Sequence, residues 1–172
     1  MPIRKRSLPS QEPHPSRPHM PGYGLPSSTR GLLPWNWAEQ RLTKSHNYWI
    51  TTVKPNSQPH TMVVWGLWQD GRFLFSTGSK SRKARNLAEN INCIICTEHA
   101  HEAVIVEGTA EIADVVARRR FLRAYEKKYD FEMKGMAQDI LSMKEPVFSV
   151  RPQVVFGFWE KYFASKSTRW KF

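Results

Sequence analysis

Residues 74–87 read LFSTGSKSRKARNL, which places a strand, a Ser/Thr/Gly turn and a basic helix start in one continuous run. Ser81 is suited to cap a helix, and residues 82–87 favour or tolerate helix. A helix start carries unpaired backbone N–H groups and a partial positive charge, so an anion is stabilised there before any side chain takes part. Arg82 and Lys83 fall in that first turn, where their charges oppose the helix dipole and a bound anion relieves the conflict. Taken alone, the run also fits a basic, solvated helix face.

Strand signals surround this run. Residues 48–53 (YWITTV) and 60–68 (HTMVVWGLW) are rich in β-branched and aromatic residues, with a turn at 54–59 (KPNSQP) between them. Asp70-Gly71 is a hairpin signal leading into a strand over 72–77. Further strands are predicted over 91–97 and 103–112, with two late ones at 147–150 and 154–159. Asn36, with Glu39 three residues on, suggests a capping box and a helix over 37–45. Asp114 is placed to cap a helix over 115–129, with Ala117, Phe121, Leu122, Tyr125 and Tyr129 on one face. Arg118, Arg119, Arg123, Lys127 and Lys128 are assigned to its opposite, solvated face. Six or seven strands with short turns and two interposed helices predict a mainly β (α+β) antiparallel barrel.

Composition narrows the function classes. The 172 residues are 40% hydrophobic, enough for one buried core. No apolar run reaches the roughly 20 residues of a membrane span, and residues 1–30 lack the apolar stretch of a signal peptide, so the cytoplasm is the expected location. Of the net charge of +11, +4 falls on residues 1–30, leaving +7 on the rest. Such a balance suits a polyanionic ligand, an acidic surface or nucleic acid. Residues 1–33, rich in Pro, Ser, Arg and His, are expected to form a flexible arm, with 34–172 as the globular domain.

Familiar chemistries are missing. No GxGxxG follows a strand, and neither a Walker lysine loop nor a G-x-S-x-G elbow is present. Cys93 and Cys96 have the spacing of a dithiol or zinc motif, but three residues apart on a strand they point to opposite faces and are expected to be packed thiols. The scattered His46, His60, His99 and His101 show no helical ligand pair, and no metal is expected. Gly108, beside Glu107, suggests a bulge or close backbone approach. Most aromatics are expected in the core; Trp65, Trp159 and Trp170 are the exceptions.

The ordered series TTV (51–53), QPH (58–60), VVWG (63–66), DGRFLFSTG (70–78), SRKARNLAEN (81–90), VIVEGTAEI (104–112), YEKKY (125–129) and STRWKF (167–172) resembles the pyridoxamine 5'-phosphate oxidase-like FMN-binding split-barrel superfamily. Within it, the chain is most similar to the flavin/deazaflavin oxidoreductase branch, which uses FMN or coenzyme F-420. The resemblance implies a homodimer of split β-barrels with cofactor sites at the subunit interface. It implies that Ser81, Arg82 and Lys83 hold the cofactor phosphate, that Ser76 and Thr77 contact the ribityl and phosphate region, and that the backbone of Met62, Val63, Val64 and Trp65 lies along the ring. Trp159 and Arg169 match a C-terminal pair that completes the site from the partner. Departures accompany it: pyridoxamine phosphate oxidases carry Arg where this chain has Met62 and Lys where it has Leu67, and their C-terminal Arg-x-His pair is not recognisable here. Pyridoxal phosphate synthesis is therefore not expected.

The leading reading is a flavin- or deazaflavin-dependent oxidoreductase acting on a small molecule, with no catalytic residue assigned. The alternative is a non-catalytic flavin, F-420 or tetrapyrrole binder on the same fold. A nucleic-acid-binding module ranks last, because the basic residues lie on a helix face and a tail without a nucleic-acid motif.

Overall fold

The computed structural model describes residues 12–172. In chain order the elements are β1 (His14–Ser16), α1 (Trp35–Lys44), β2 (Tyr48–Val53), β3 (Pro59–Val64), β4 (Leu67–Gln69), β5 (Arg72–Ser76), α2 (Arg82–Glu89), β6 (Asn92–Thr97) and β7 (Glu102–Ile112). There follow α3 (Val115–Tyr129), α4 (Lys134–Leu141), β8 (Val147–Trp159), a single 3-10 turn (Glu160–Tyr162), α5 (Phe163–Lys166) and β9 (Thr168–Lys171). All ladders are antiparallel. The main path runs β1-β9-β8-β7-β6-β2-β3, with β5 branching from β8 and β4 from β5. Among the described residues β3 has no second ladder, so the sheet curls into a split barrel without closing.

Strand β8 organises the fold. One edge pairs with β7 throughout, while the other pairs first with β5 and then with β9. The two late strands expected from the sequence are therefore one, kept continuous by a bulge at which the register slips between Glu107 and Gly108. A Cβ at Gly108 would collide with the Arg151 carbonyl, which is the close backbone approach that the glycine suggested.

The strand expected over 60–68 breaks at Trp65-Gly66. Tyr129 takes the Gly66 N–H at 2.8 Å, and Lys128 donates to the Gly66 carbonyl at 3.0 Å, so α3 side chains replace the ladder there. A Cβ on Gly66 would also strike the Phe73 ring. Asp70 and Gly71 both adopt positive φ (52° and 71°), as a tight primed hairpin turn requires.

Helix α1 begins two residues before its expected start. Pro34 occupies the cap position with φ −70°, no side chain caps the helix, and Asn36 lies inside the first turn where it has no cap to make. Helix α3 has its expected bounds, with Asp114 accepting the Ala117 N–H at 2.7 Å. Its polar face differs: Arg118 is buried, and Lys128 is half-buried over the Tyr48 and Tyr129 rings. The packing of α4 on α3 adds a second covered side that the periodicity did not reveal.

The principal core surrounds Tyr48, Phe73, Phe75, Ile95, Val106 and Trp170. Trp170, expected as an exception to the core aromatics, is fully buried against Trp35. Aromatic side chains of this size each contribute about 1.5–3 kcal/mol on burial.

Of the expected flexible arm, residues 12–33 are described, and they lie against the C-terminal strand. β1 pairs with β9, and the Arg17 guanidinium donates to the carbonyls of Ser28, Arg30, Ser165 and Ser167 at 2.7–3.1 Å. Residues 1–11 of the expected arm lie outside the described residues.

Candidate functional site

The β5–α2 junction is held by short polar contacts. The Ser76 hydroxyl donates to the Pro146 carbonyl at 3.2 Å, and the Thr77 hydroxyl donates to Ser81 Oγ at 3.1 Å. Ser81 Oγ also accepts the Ala84 N–H at 3.2 Å, which makes it the cap anticipated from sequence. Its own proton remains uncommitted. So do the backbone N–H groups of Arg82 and Lys83 among the described residues, and no acidic residue occupies the first turn. Neither the Arg82 nor the Lys83 side chain makes an ion pair there. Burial pushes the Lys83 amine below its ordinary range. A nearby anion would offset that desolvation, so the donor set fits a phosphate. One carboxylate lies beside the preceding turn: a Cβ at Gly78 would lie 3.7 Å from Glu145 Oε2.

Two residues that the sequence reading missed fix α2 against the sheet. Asn86 is buried and donates from Nδ2 to Thr52 Oγ1 at 2.9 Å, and Thr52 in turn donates to the His60 carbonyl at 3.4 Å. The chain of bonds links α2 to β3. Asn86 Oδ1 and His60 Nδ1 remain buried without partners. The available signal was a polar residue one turn into a helix whose neighbours, Ala84 and Leu87, are apolar.

On β3, Met62 and Val63 are exposed at 46% and 45%, whereas Val64 points into the core. Trp65 follows the strand and stacks on Tyr129 with centroids 4.6 Å apart and planes 4° from parallel. Its indole N–H donates to Asn47 Oδ1 at 3.2 Å. Burial raises the Tyr129 phenol to about 12 and lowers the Lys128 amine to about 8. Burial alone would raise the Glu98 carboxyl, but the N–H donors of His46 and Asn47 outweigh it and hold it below the usual carboxylate range.

Trp159 and Arg169 do not join these residues within one chain. Trp159 ends β8 against Trp37 and Tyr162, and Arg169 lies on β9 beside Phe156. Strands β7, β6 and β2 separate β8 from β3, a path of about 19 Å along the sheet. Residues 76–83 and 62–65 are thus linked through Thr52, while the C-terminal pair stands apart.

Cys93 is buried and Cys96 half-buried, on opposite faces of β6, and burial pushes both thiols up, Cys93 to about 12. Among the described residues no helix is long and apolar enough to cross a membrane.

Comparison with known proteins places these features. No curated protein matches the chain. Among solved structures, a conserved hypothetical protein of Mycobacterium tuberculosis superposes with a TM-score of 0.67 at 19% identity, covering 78% of this chain and 89% of its own. An F-420 reductase gives 0.55 at 20% identity, covering 68% and 94%. The heme storage protein HutZ of Vibrio cholerae gives 0.58 at 15% identity, covering 72% and 90%. At these identities the likeness establishes the fold. A family model described as pyridoxamine 5'-phosphate oxidase matches residues 37–157, which span β2 to β8 and the β5–α2 junction, and the chain therefore belongs to that split-barrel family.

Proposed function

We propose that the protein is an oxidoreductase that holds FMN or coenzyme F-420 and transfers hydride between it and a small molecule, acting as a homodimer. The observation that carries this reading is the α2 start, where, among the described residues, the Ser81 hydroxyl proton and the Arg82 and Lys83 N–H groups are uncommitted beside two cationic side chains without ion pairs. Ser81, Arg82 and Lys83 hold the phosphate in this account. Ser76 and Thr77 lie along the adjoining polyol; since Ser76 already donates to Pro146, it serves a ligand as acceptor. The backbone of 62–65 meets the ring edge, and the Trp65–Tyr129 stack limits water there. A bound flavin or deazaflavin supplies the hydride chemistry itself.

The dimer rests on a row of side chains across the outer sheet face. Val63, Trp49, Cys96, Ile105, Phe156 and Arg169 are in successive cross-strand register, none of them fully buried. A two-fold partner laid on this largely apolar row brings the β9 end of one chain over the β3 end of the other. Arg169 and Trp159 then complete a site they cannot reach within their own chain.

Parallel fluorescence titrations with FMN and F-420 test the reading. One of the two should bind, and the double substitution Arg82→Ala/Lys83→Ala should weaken it at least about tenfold with an unchanged circular dichroism spectrum. Equal affinity in the double variant overturns the phosphate assignment. Tight binding without turnover of any reductant would move the protein to the carrier class.

A further inference from the structure

The switch of β8 from β5 to β9 leaves a gap in the wall of the barrel, and a cavity of about 770 Å³ fills it. Its floor is Arg151-Pro152-Gln153, where Pro152 has no N–H to offer either neighbouring strand and the bulge opposite Gly108 turns the backbone. Trp35 forms one wall, with Trp68 and Phe172 edge-on to it at 6.1 and 5.1 Å. The volume is that of a small-molecule site.

The charges at its rim are unequal in availability. Arg72 is committed to Glu111 at 2.5 Å, and Asp70 to Arg120 at 3.2 Å. Glu39 and Glu12 have no ion pair among the described residues, and Arg151 is the one lining cation in the same condition. Unpaired carboxylates thus outnumber unpaired cations here, on a chain of net charge +11. Aromatic walls with uncommitted carboxylates select a cation, through ring quadrupoles and direct charge pairing.

We propose that this cavity binds a small planar organic cation, at a site separate from the α2 start. The two lie at opposite ends of β5, with Arg72 at one and Ser76 at the other, about 13 Å apart. Glu39 pairs with the positive charge, one of Trp35 and Trp68 stacks on the ring, and the other, at 64° to it, meets the ring edge-on.

Calorimetric titration of the full chain with 1-methylquinolinium and with its anionic counterpart 2-naphthoate tests this. The cation should bind at least about tenfold more tightly than the anion, and Glu39→Gln, an isosteric change, should weaken it about fivefold. Trp68→Leu should weaken both probes. Preference for 2-naphthoate, or undiminished cation binding in Glu39→Gln, overturns the proposal. The Arg82→Ala/Lys83→Ala variant should bind the cation as the parent does, whether or not it binds FMN; loss of the cation there would assign the probe to the α2 site and also overturn the proposal.

Discussion

Lys128 Nζ donates to the Tyr48 hydroxyl at 2.8 Å, and that hydroxyl donates in turn to the Leu42 carbonyl. A cation on α3 thereby reaches the buried end of β2, with the Tyr48 ring 4.8 Å from its charge.

The bond has a pH signature. Burial lowers the folded-state Lys128 to about 8 from an ordinary 10.5, so between those values the unfolded chain binds the extra proton and stability rises with pH. Below pH 8 the desolvated charge is a constant cost. Lys128→Met should flatten the wild-type rise between pH 8 and 10, a difference of about 1 kcal/mol once solvent screening is allowed for. Urea midpoints of both proteins at pH 7, 8.5 and 10 measure it; parallel curves would contradict it. The Tyr129 phenol, raised to about 12, acts above this window and in the opposite sense.

Tyr129→Phe removes the hydroxyl that accepts the Gly66 N–H and leaves that buried group unpaired. A loss of about 1–3 kcal/mol is expected in chemical unfolding. Tyr125→Phe serves as the control, because its hydroxyl makes no hydrogen bond among the described residues; a change within about 0.5 kcal/mol is expected.

Glu145→Gln removes the carboxylate that faces Gly78. If the α2 start holds a phosphate, FMN or F-420 should bind about threefold more tightly in this variant at low salt, with the gain shrinking as salt is added. Weaker binding would show that Glu145 supports the site.

Gly108→Ala forces a Cβ onto the Arg151 carbonyl at the bulge. The backbone must move, and a destabilisation of about 1–3 kcal/mol is expected by thermal unfolding. An unchanged midpoint would mean that the bulge tolerates a side chain.

Local signals in the sequence located most of the elements. Ser81 and Asp114 mark helix starts at their observed positions, and Asp70-Gly71 marks the hairpin, because capping and turn geometry are decided within three or four residues. Asn36 misled, since Pro34 nearby set the helix start instead. Gly66 broke a strand through side chains more than 60 residues away, which no local window contains. The same holds for the site. The β5–α2 turn is contiguous and legible, but Asn86 meets Thr52 across 34 residues, and their bond is visible only once α2 has been laid on β2.

The pairing of β1 with β9 joins His14–Ser16 to Arg169–Lys171. Those first residues are made more than 150 positions before their partners, and the Arg17 guanidinium waits nearly as long for the Ser165 and Ser167 carbonyls. Until Thr168–Lys171 is in place, β1 has no strand to pair with, and the stretch of β8 that β9 covers is unmatched on that side. A chain truncated after residue 160 should leave both β1 and that edge unpaired and be captured by chaperones more readily than the full chain.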